Sequence, residues 1–245
     1  MPPSVRLPGG RVAALEPDTV RPGSLVLTID GAEQSLIDPH SPATLDLEYT
    51  ARLGAAVDAA GPAGEPLRAL HLGGGGLSLA RYIACSRPGS DQLVVEREEG
   101  LLEFVLDHAP LPSGSRVRTV TGDAAGPLPG IEAELVILDV YDGTEIPEAF
   151  FRREVLAHIL TRLAPEGVLA VNVADDADHR RLQHLRAALE SLLPCVRTIG
   201  SAAFLAGRES GNAIVLASVT DAADRMGAHL LRAGPHPSAS WSGDA

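Results

Sequence analysis

The chain has 245 residues, 45% of them hydrophobic, enough for one large α/β domain with a modest addition. Its 20 basic against 32 acidic residues leave a formal charge of −12, which argues against nucleic acid as a partner, because phosphate binding needs a basic face. Aromatic residues make up only 3%, so the core must be aliphatic and stacking platforms for bases are missing.

The first twenty or so residues are rich in Pro and Gly and read as loose, with a short strand over 11–15. Residues 24–29 form a strand, and Asp30-Gly31 turns the chain tightly in the manner of a hairpin. A small β-element over 1–38 therefore precedes the main domain. Leu45, Leu53, Ala56 and Val57 recur at helical spacing within 44–60, and Gly61-Pro62-Ala63-Gly64 stops that helix. From Pro66 onward strands and helices alternate, which predicts a parallel sheet covered on both faces. Strands are expected over 69–72, 92–95, 117–120, 133–138 and 167–173, and helices over 77–86, 98–108, 147–163 and 176–193. Two further strands, 196–200 and 212–219, are joined by a segment too short for a crossover helix and must pair antiparallel. Residues 221–245 are expected to be a tail, disordered from Gly234 onward.

Cys85 and Cys195 stand far apart without metal or disulfide spacing and read as inert thiols of a reducing compartment. No apolar run reaches the length of a membrane span, and Met1-Pro2-Pro3-Ser4 does not read as the start of a signal peptide. The expected location is cytoplasmic, with neither membrane nor nucleic acid as partner.

The first parallel strand runs into Leu72-Gly73-Gly74-Gly75-Gly76. Glycines at a strand-to-helix turn let backbone N–H groups approach a ligand with no Cβ in the way. The strict dinucleotide fingerprint fails, since its third glycine would fall on Ser78. The second strand ends in Glu96, whose carboxylate can accept hydrogen bonds from both hydroxyls of a ribose. The third ends in Gly122-Asp123-Ala124 and the fourth in Asp139. All four ends lie on the carboxyl edge of one sheet, where open α/β folds bind ligands. An S-adenosyl compound fits this spacing, with its methionine-like end over Gly73, Gly74 and Gly75, its ribose on Glu96, and its adenine beside Asp123 and Ala124. The expected fold is therefore α/β, a class I S-adenosylmethionine-dependent, Rossmann-like seven-stranded sheet over 39–220 with an antiparallel final hairpin.

Asp139-Val140-Tyr141-Asp142-Gly143 is the second motif. A carboxylate here can take the proton from an ammonium and stabilise the charge that develops on nitrogen as the amine attacks the carbon beside a sulfonium. The alternative for Asp142-Gly143 is a simple turn. His71, inside an apolar strand, reads as a satisfied core residue. Asp175, Asp176, Asp178 and His179 read as the acidic start of a helix rather than a metal site, and no metal is expected.

With these residues the chain resembles the spermidine synthases, polyamine aminopropyltransferases that use decarboxylated S-adenosylmethionine. The matching stretches are Asp30-Gly31-Ala32-Glu33-Gln34, the glycine run, Val94-Val95-Glu96, Gly122-Asp123-Ala124, Asp139-Val140-Tyr141-Asp142 and Leu163-Ala164-Pro165-Glu166-Gly167-Val168-Leu169, in order over about 25–220. Leu77-Ser78-Leu79-Ala80-Arg81-Tyr82 is similar to the actinobacterial spermidine-synthase-like branch. The resemblance implies that Gln34 and Glu96 hold the ribose side and Asp123 the adenine, and that Asp139 is the catalytic base. Tyr141, Asp142 and Tyr49 would then bind a small cationic amine, in a chain that forms a homodimer. Two departures stand out: Gly76 replaces an aspartate that holds the aminopropyl ammonium, and Tyr49-Thr50-Ala51 keeps only the tyrosine of a Tyr-His-Glu stretch. The alternatives are a small-molecule methyltransferase using S-adenosylmethionine and a non-catalytic nucleoside-binding homologue.

Overall fold

A computed structural model describes residues 2–241 apart from Thr144. Four short antiparallel strands open the chain: β1 (Ser4–Arg6), β2 (Val12–Pro17), β3 (Leu25–Ile29) and β4 (Ala32–Ile37). Asp30 and Gly31, with φ of 51° and 79°, make the two-residue turn between β3 and β4, as that sequence demands. The expectation of a loose start is corrected, because β1 and β2 pair there and bury Leu7, Ala13 and Leu15. A three-residue strand is too short to show its alternation in the sequence.

The main sheet follows: α1 (Glu48–Ala59), β5 (Arg68–Leu72), α2 (Ser78–Ser86), β6 (Asp91–Glu96), α3 (Leu101–His108), β7 (Arg116–Thr121), β8 (Ala133–Leu138), α4 (Arg153–Leu160) and β9 (Leu163–Asp175). Then come α5 (Arg180–Glu190), β10 (Cys195–Ser201), the single turn α6 (Ala202–Leu205), β11 (Gly211–Ser218), α7 (Ala222–Ala233) and β12 (Ser238–Trp241). The order is β12-β10-β11-β9-β8-β5-β6-β7. Strands β5 to β9 are parallel, and β11 runs antiparallel to both β9 and β10, so the seven-stranded sheet with its antiparallel hairpin is present. An eighth strand, β12, adds to the β10 edge.

That strand corrects the expectation of disorder from Gly234, at least as far as Trp241; residues 242–245 lie outside the described residues. Backbone pairing with β10 and two arginine clamps order a segment whose composition gives no such sign. Arg52 donates to Pro235 O and Ser238 Oγ, while Arg186 donates to Trp241 O and lies over its ring. Two helices also differ from expectation. The span 147–163 divides into a 3-10 turn, Glu148–Phe151, and α4, because Arg152 is extended between them. Helix α3 begins only at Leu101, after a left-handed Gly100.

Leu53, Val57, Ile83, Met226 and Leu230 from α1, α2 and α7 cover one face of the sheet. Leu156, Ile159, Leu182, Leu185 and Leu189 from α4 and α5 cover the other. The N-terminal sheet packs Leu15, Leu27 and Ile37 against Leu77, Leu101 and Val105, which sets β4 beside the glycine run. Arg87, 1% exposed, joins α2 to α1 by donating to the carbonyls of Val57, Asp58, Gly61, Pro62 and Glu65. Arg87→Leu removes all of these charge-assisted bonds at once and is expected to lower stability by about 3 kcal/mol or more, read as a lower urea midpoint with unchanged slope.

Candidate active site

The strand order reverses between β5 and β8, and at such a switch point the loops leave in opposite directions and open a crevice. Here the crevice is a cavity of about 460 Å³, within the range that holds a small molecule. Gln34, Tyr49, Gly73, Gly74, Gly75, Glu96, Asp123, Ala124, Asp139, Tyr141 and Asp142, the site residues expected from the sequence, all line it.

Gly73 follows β5 with φ of 96°, and a Cβ there would lie 2.1 Å from the carbonyl oxygen of Asp139. Glycine is thus required for the ends of β5 and β8 to lie side by side, a seam closed by Asp139 N–H donating to Leu72 O at 2.9 Å. Glu96, ending β6, accepts from Gly74 N (2.7 Å) and Gly75 N (3.4 Å) with Oε2 and from Glu98 N (3.0 Å) with Oε1. The carboxylate is therefore held still, and Oε1 keeps capacity for a further donor. Asp123 accepts from Ala125 N at 2.8 Å, which fixes the turn after β7. Gln34, on β4, bonds only its own turn, Nε2 to Ala32 O at 3.3 Å, among the described residues.

Asp139 is half-buried on the cavity floor, and Asn172 Nδ2 donates to its Oδ1 at 2.9 Å. Burial raises its pKa to about 6, opposed by the Asn172 bond. Tyr49 from α1 and Tyr141 flank it; burial and the Asp139 charge raise both phenols well above their ordinary value. Both hydroxyls therefore stay protonated. Tyr141 donates to Asn172 O and accepts from Ala174 N. Asp142 does not join Asp139 on the floor: its side chain is 62% exposed at the rim, with Arg97 Nη2 3.8 Å away.

Several residues on and behind the cavity wall were not singled out from the sequence. Arg11 and Arg97 both pair with Glu98 at the rim. Asn172 and Asn212 lie on β9 and β11 behind the cavity, and a signal was available for Asn172, a polar residue inside the apolar run from Val168 to Val173. His71 behaves as expected of a core residue, bonded to Gln92 Oε1 at 2.9 Å, with burial lowering its pKa to about 4. In the acidic stretch before α5, Asp175 accepts from Leu182 N and Asp176 N, and His179 bonds Phe204 O.

No family model matches the chain, and no curated protein matches it either. Among solved structures, a probable spermidine synthase from Corynebacterium glutamicum ATCC 13032 superposes with a TM-score of 0.83 at 27% identity, over 98% of this chain and 90% of that one. The likeness to the spermidine synthases holds in three dimensions. A spermidine synthase in complex with the transition state analogue AdoDATO (TM-score 0.63, 16% identity, 90% of this chain and 73% of that one) shares the fold. So does human methyltransferase-like protein 13 in complex with SAH (TM-score 0.54, 20% identity, 76% and 93%). These neighbours are transferases, and the chain has a transferase fold.

The two departures from the spermidine synthases now have physical causes. A Cβ on Gly76 would lie 2.7 Å from Ile37 Cγ1 and 2.8 Å from Ser35 Cβ, and Gly76 N donates to Ser35 Oγ at 3.0 Å. Strand β4 fills the space an aspartate at 76 would need. Thr50 is buried with its hydroxyl donating to Leu47 O at 2.9 Å, so that hydroxyl closes the first turn of α1. Gly76→Ala is expected to cost about 1–3 kcal/mol by overpacking, and Gly76→Asp more, measured by thermal unfolding. Ile37→Val should recover part of the Gly76→Ala loss; strictly additive losses in that double-mutant cycle would count against the contact.

Proposed function

We propose that the chain is an aminopropyltransferase, moving the aminopropyl group of decarboxylated S-adenosylmethionine to a small diamine of the putrescine type and releasing methylthioadenosine. The observation that carries this reading is Asp139, a floor carboxylate whose Oδ2 has no hydrogen bond among the described residues, in a chain like the Corynebacterium protein over 98% of its length. The cavity chemistry supports it too. The carboxylates of Glu96, Glu98, Asp123, Asp139 and Asp142 outweigh Arg11 and Arg97, which suits two cationic substrates.

In this reading Asp139 Oδ2 takes a proton from the acceptor ammonium, which has no free lone pair until its pKa of about 10 is overcome. The freed lone pair forms a bond to the aminopropyl carbon beside sulfur. The C–S bond breaks towards sulfur, which leaves as a neutral thioether, and the proton on Asp139 passes to water. Glu96 and Gln34 hold the ribose side, Asp123 and Ala124 the adenine, and the backbone of Gly73, Gly74 and Gly75 the sulfonium end. Tyr49 and Tyr141 wall the reacting amine, and Asp142 meets the acceptor at the rim. No metal takes part. A cytoplasmic location and a homodimer belong to the same reading; among the described residues no helix is long and apolar enough to cross a membrane.

A second reading, methyl transfer from intact S-adenosylmethionine to a small molecule, is favoured by one observation: the space beside Gly76 holds Ser35 and Ile37 instead of a carboxylate, so nothing there repels the carboxylate of the intact compound. Calorimetric titration with methylthioadenosine, S-adenosylmethionine and its decarboxylated form separates the readings. Tightest binding of the decarboxylated form supports aminopropyl transfer, preference for the intact form supports methyl transfer, and silence towards all three leaves neither. Asp139→Asn should lower turnover by about 10²–10⁴-fold while methylthioadenosine binding persists. Because a base must be ionised, wild-type turnover should fall as pH drops through about 6. Unchanged turnover in Asp139→Asn would remove Asp139 from the mechanism.

A further inference from the structure

Behind Asp139 runs a short chain of side-chain amides. Asn172, 1% exposed on β9, gives its Nδ2 to Asp139 Oδ1 at 2.9 Å. Its own Oδ1 accepts from Asn212 Nδ2 on β11 at 3.0 Å. The β9–β11 pairing sets Asn172 opposite Ile214 and Asn212 opposite Ala174, so the two amides sit on neighbouring strands one step apart. Tyr141 ties the loop after β8 to the same place through Asn172 O and Ala174 N.

An asparagine amide can present either end to a carboxylate, and only the nitrogen end is attractive. Asn212 favours one orientation, because its Nδ2 donates to Asn172 Oδ1 while the carboxylate of Asp139 accepts from the other end. With Oδ1 engaged behind, Nδ2 faces forward. Two consequences follow for Asp139: its Oδ1 is pinned, which leaves Oδ2 as the oxygen facing the cavity, and its ionised form gains a donor that burial alone would deny it.

We propose that Asn172, held in one orientation by Asn212, is the positioning residue that aims Asp139 and keeps it ionised near neutral pH. This rests on the reading of Asp139 as the base, but its physical content is a property of the carboxylate itself. The other titratable and charged groups around that carboxylate are Tyr49 from α1, His71 from β5 and Tyr141 on its own loop, with Arg11, Asp30, Glu96, Arg97, Glu98, Asp123 and Asp142 farther round the cavity. Tyr49, His71 and Tyr141 are neutral at pH 7, so Asn172 is the close donor whose loss Asp139 would feel.

The test is the titration of the Asp139 carboxyl carbon by NMR in protein labelled at aspartate, with Asp139→Asn identifying the signal. Asn172→Leu, which keeps the branching at Cγ and removes the donor, should raise the midpoint by about one pH unit. Asn212→Leu should raise it by less, since Asn172 then samples both orientations. Asn172→Asp keeps the shape, serves where the leucine variant does not fold, and should raise the midpoint further, because two carboxylates then share the site. In an active enzyme the acid limb of kcat should move by the same amount while methylthioadenosine affinity stays at the wild-type value, a split that a merely loosened fold would not give. A folded Asn172→Leu protein titrating at the wild-type midpoint overturns the proposal, and an unmoved Asn212→Leu removes Asn212 from it. If the wild type transfers no aminopropyl group to any diamine, the function proposed above fails, yet the NMR midpoints still decide the role of Asn172.

Discussion

The seam between the ends of β5 and β8 is the contact on which the site depends. The two strands are parallel neighbours with Leu72 opposite Leu138, and their loops leave for opposite sides of the sheet. For those ends to stay paired, the residue after Leu72 must carry no side chain, because the carbonyl of Asp139 occupies the place of a Cβ. Gly73 therefore does structural work before it meets any ligand. It lets the glycine run and Asp139 face one cavity from adjacent strands, which is what a donor held by backbone and a base held by a strand end both require.

The rest of the glycine run is shaped by protein packing as much as by a ligand. Gly74 and Gly75 hand their N–H groups to Glu96, and Gly76 hands its own to Ser35. Arg81 closes the other side, donating to Gly76 O and to the carbonyls of Ala109 and Pro110 at the end of α3. Burial lowers its pKa only to about 10, so it remains a cation there, where a helix C-terminus favours positive charge. The loop is thus braced by β4 in front and α3 behind. The N-terminal sheet is a wall of the cavity, and its Ile37 and Ser35 decide what position 76 can carry.

The sheet was legible because alternation of apolar strands with turns and helices is a strong pattern, and because the short link between β10 and β11 admits only antiparallel pairing. The strand-end residues Glu96, Asp123 and Asp139 were legible for the same reason: topology brings parallel strand ends to one edge. What the sequence hid were features set by distant partners. Strand β12 forms because β10 offers an open edge and Arg52 and Arg186 hold the returning chain, none of which its Gly, Pro and Ser content reveals. Asp142 follows Asp139 by only three residues, yet the turn bridging Asp142 to Glu145 carries it to the rim. Asn172 gave the one local hint, a polar side chain in the run from Val168 to Val173.

That hint matters for the kind of carboxylate Asp139 can be. An arginine in place of Asn172 would stabilise the charged form strongly and pull the pKa down by about one to three units, leaving a poor proton acceptor. An apolar side chain would leave burial unopposed and push it towards neutrality, so that at pH 7 much of the group would carry the proton it is meant to accept. A single neutral amide lies between, and the pKa of about 6 keeps the carboxylate mostly ionised at pH 7 while leaving it more basic than an exposed aspartate. General-base efficiency is greatest when the pKa lies close to the working pH. The fold contains buried arginines elsewhere, at 52, 81, 87 and 186, each bonded to at least one backbone carbonyl. Asp139 is instead matched with an amide, the partner whose strength suits a group that must both lose and take a proton.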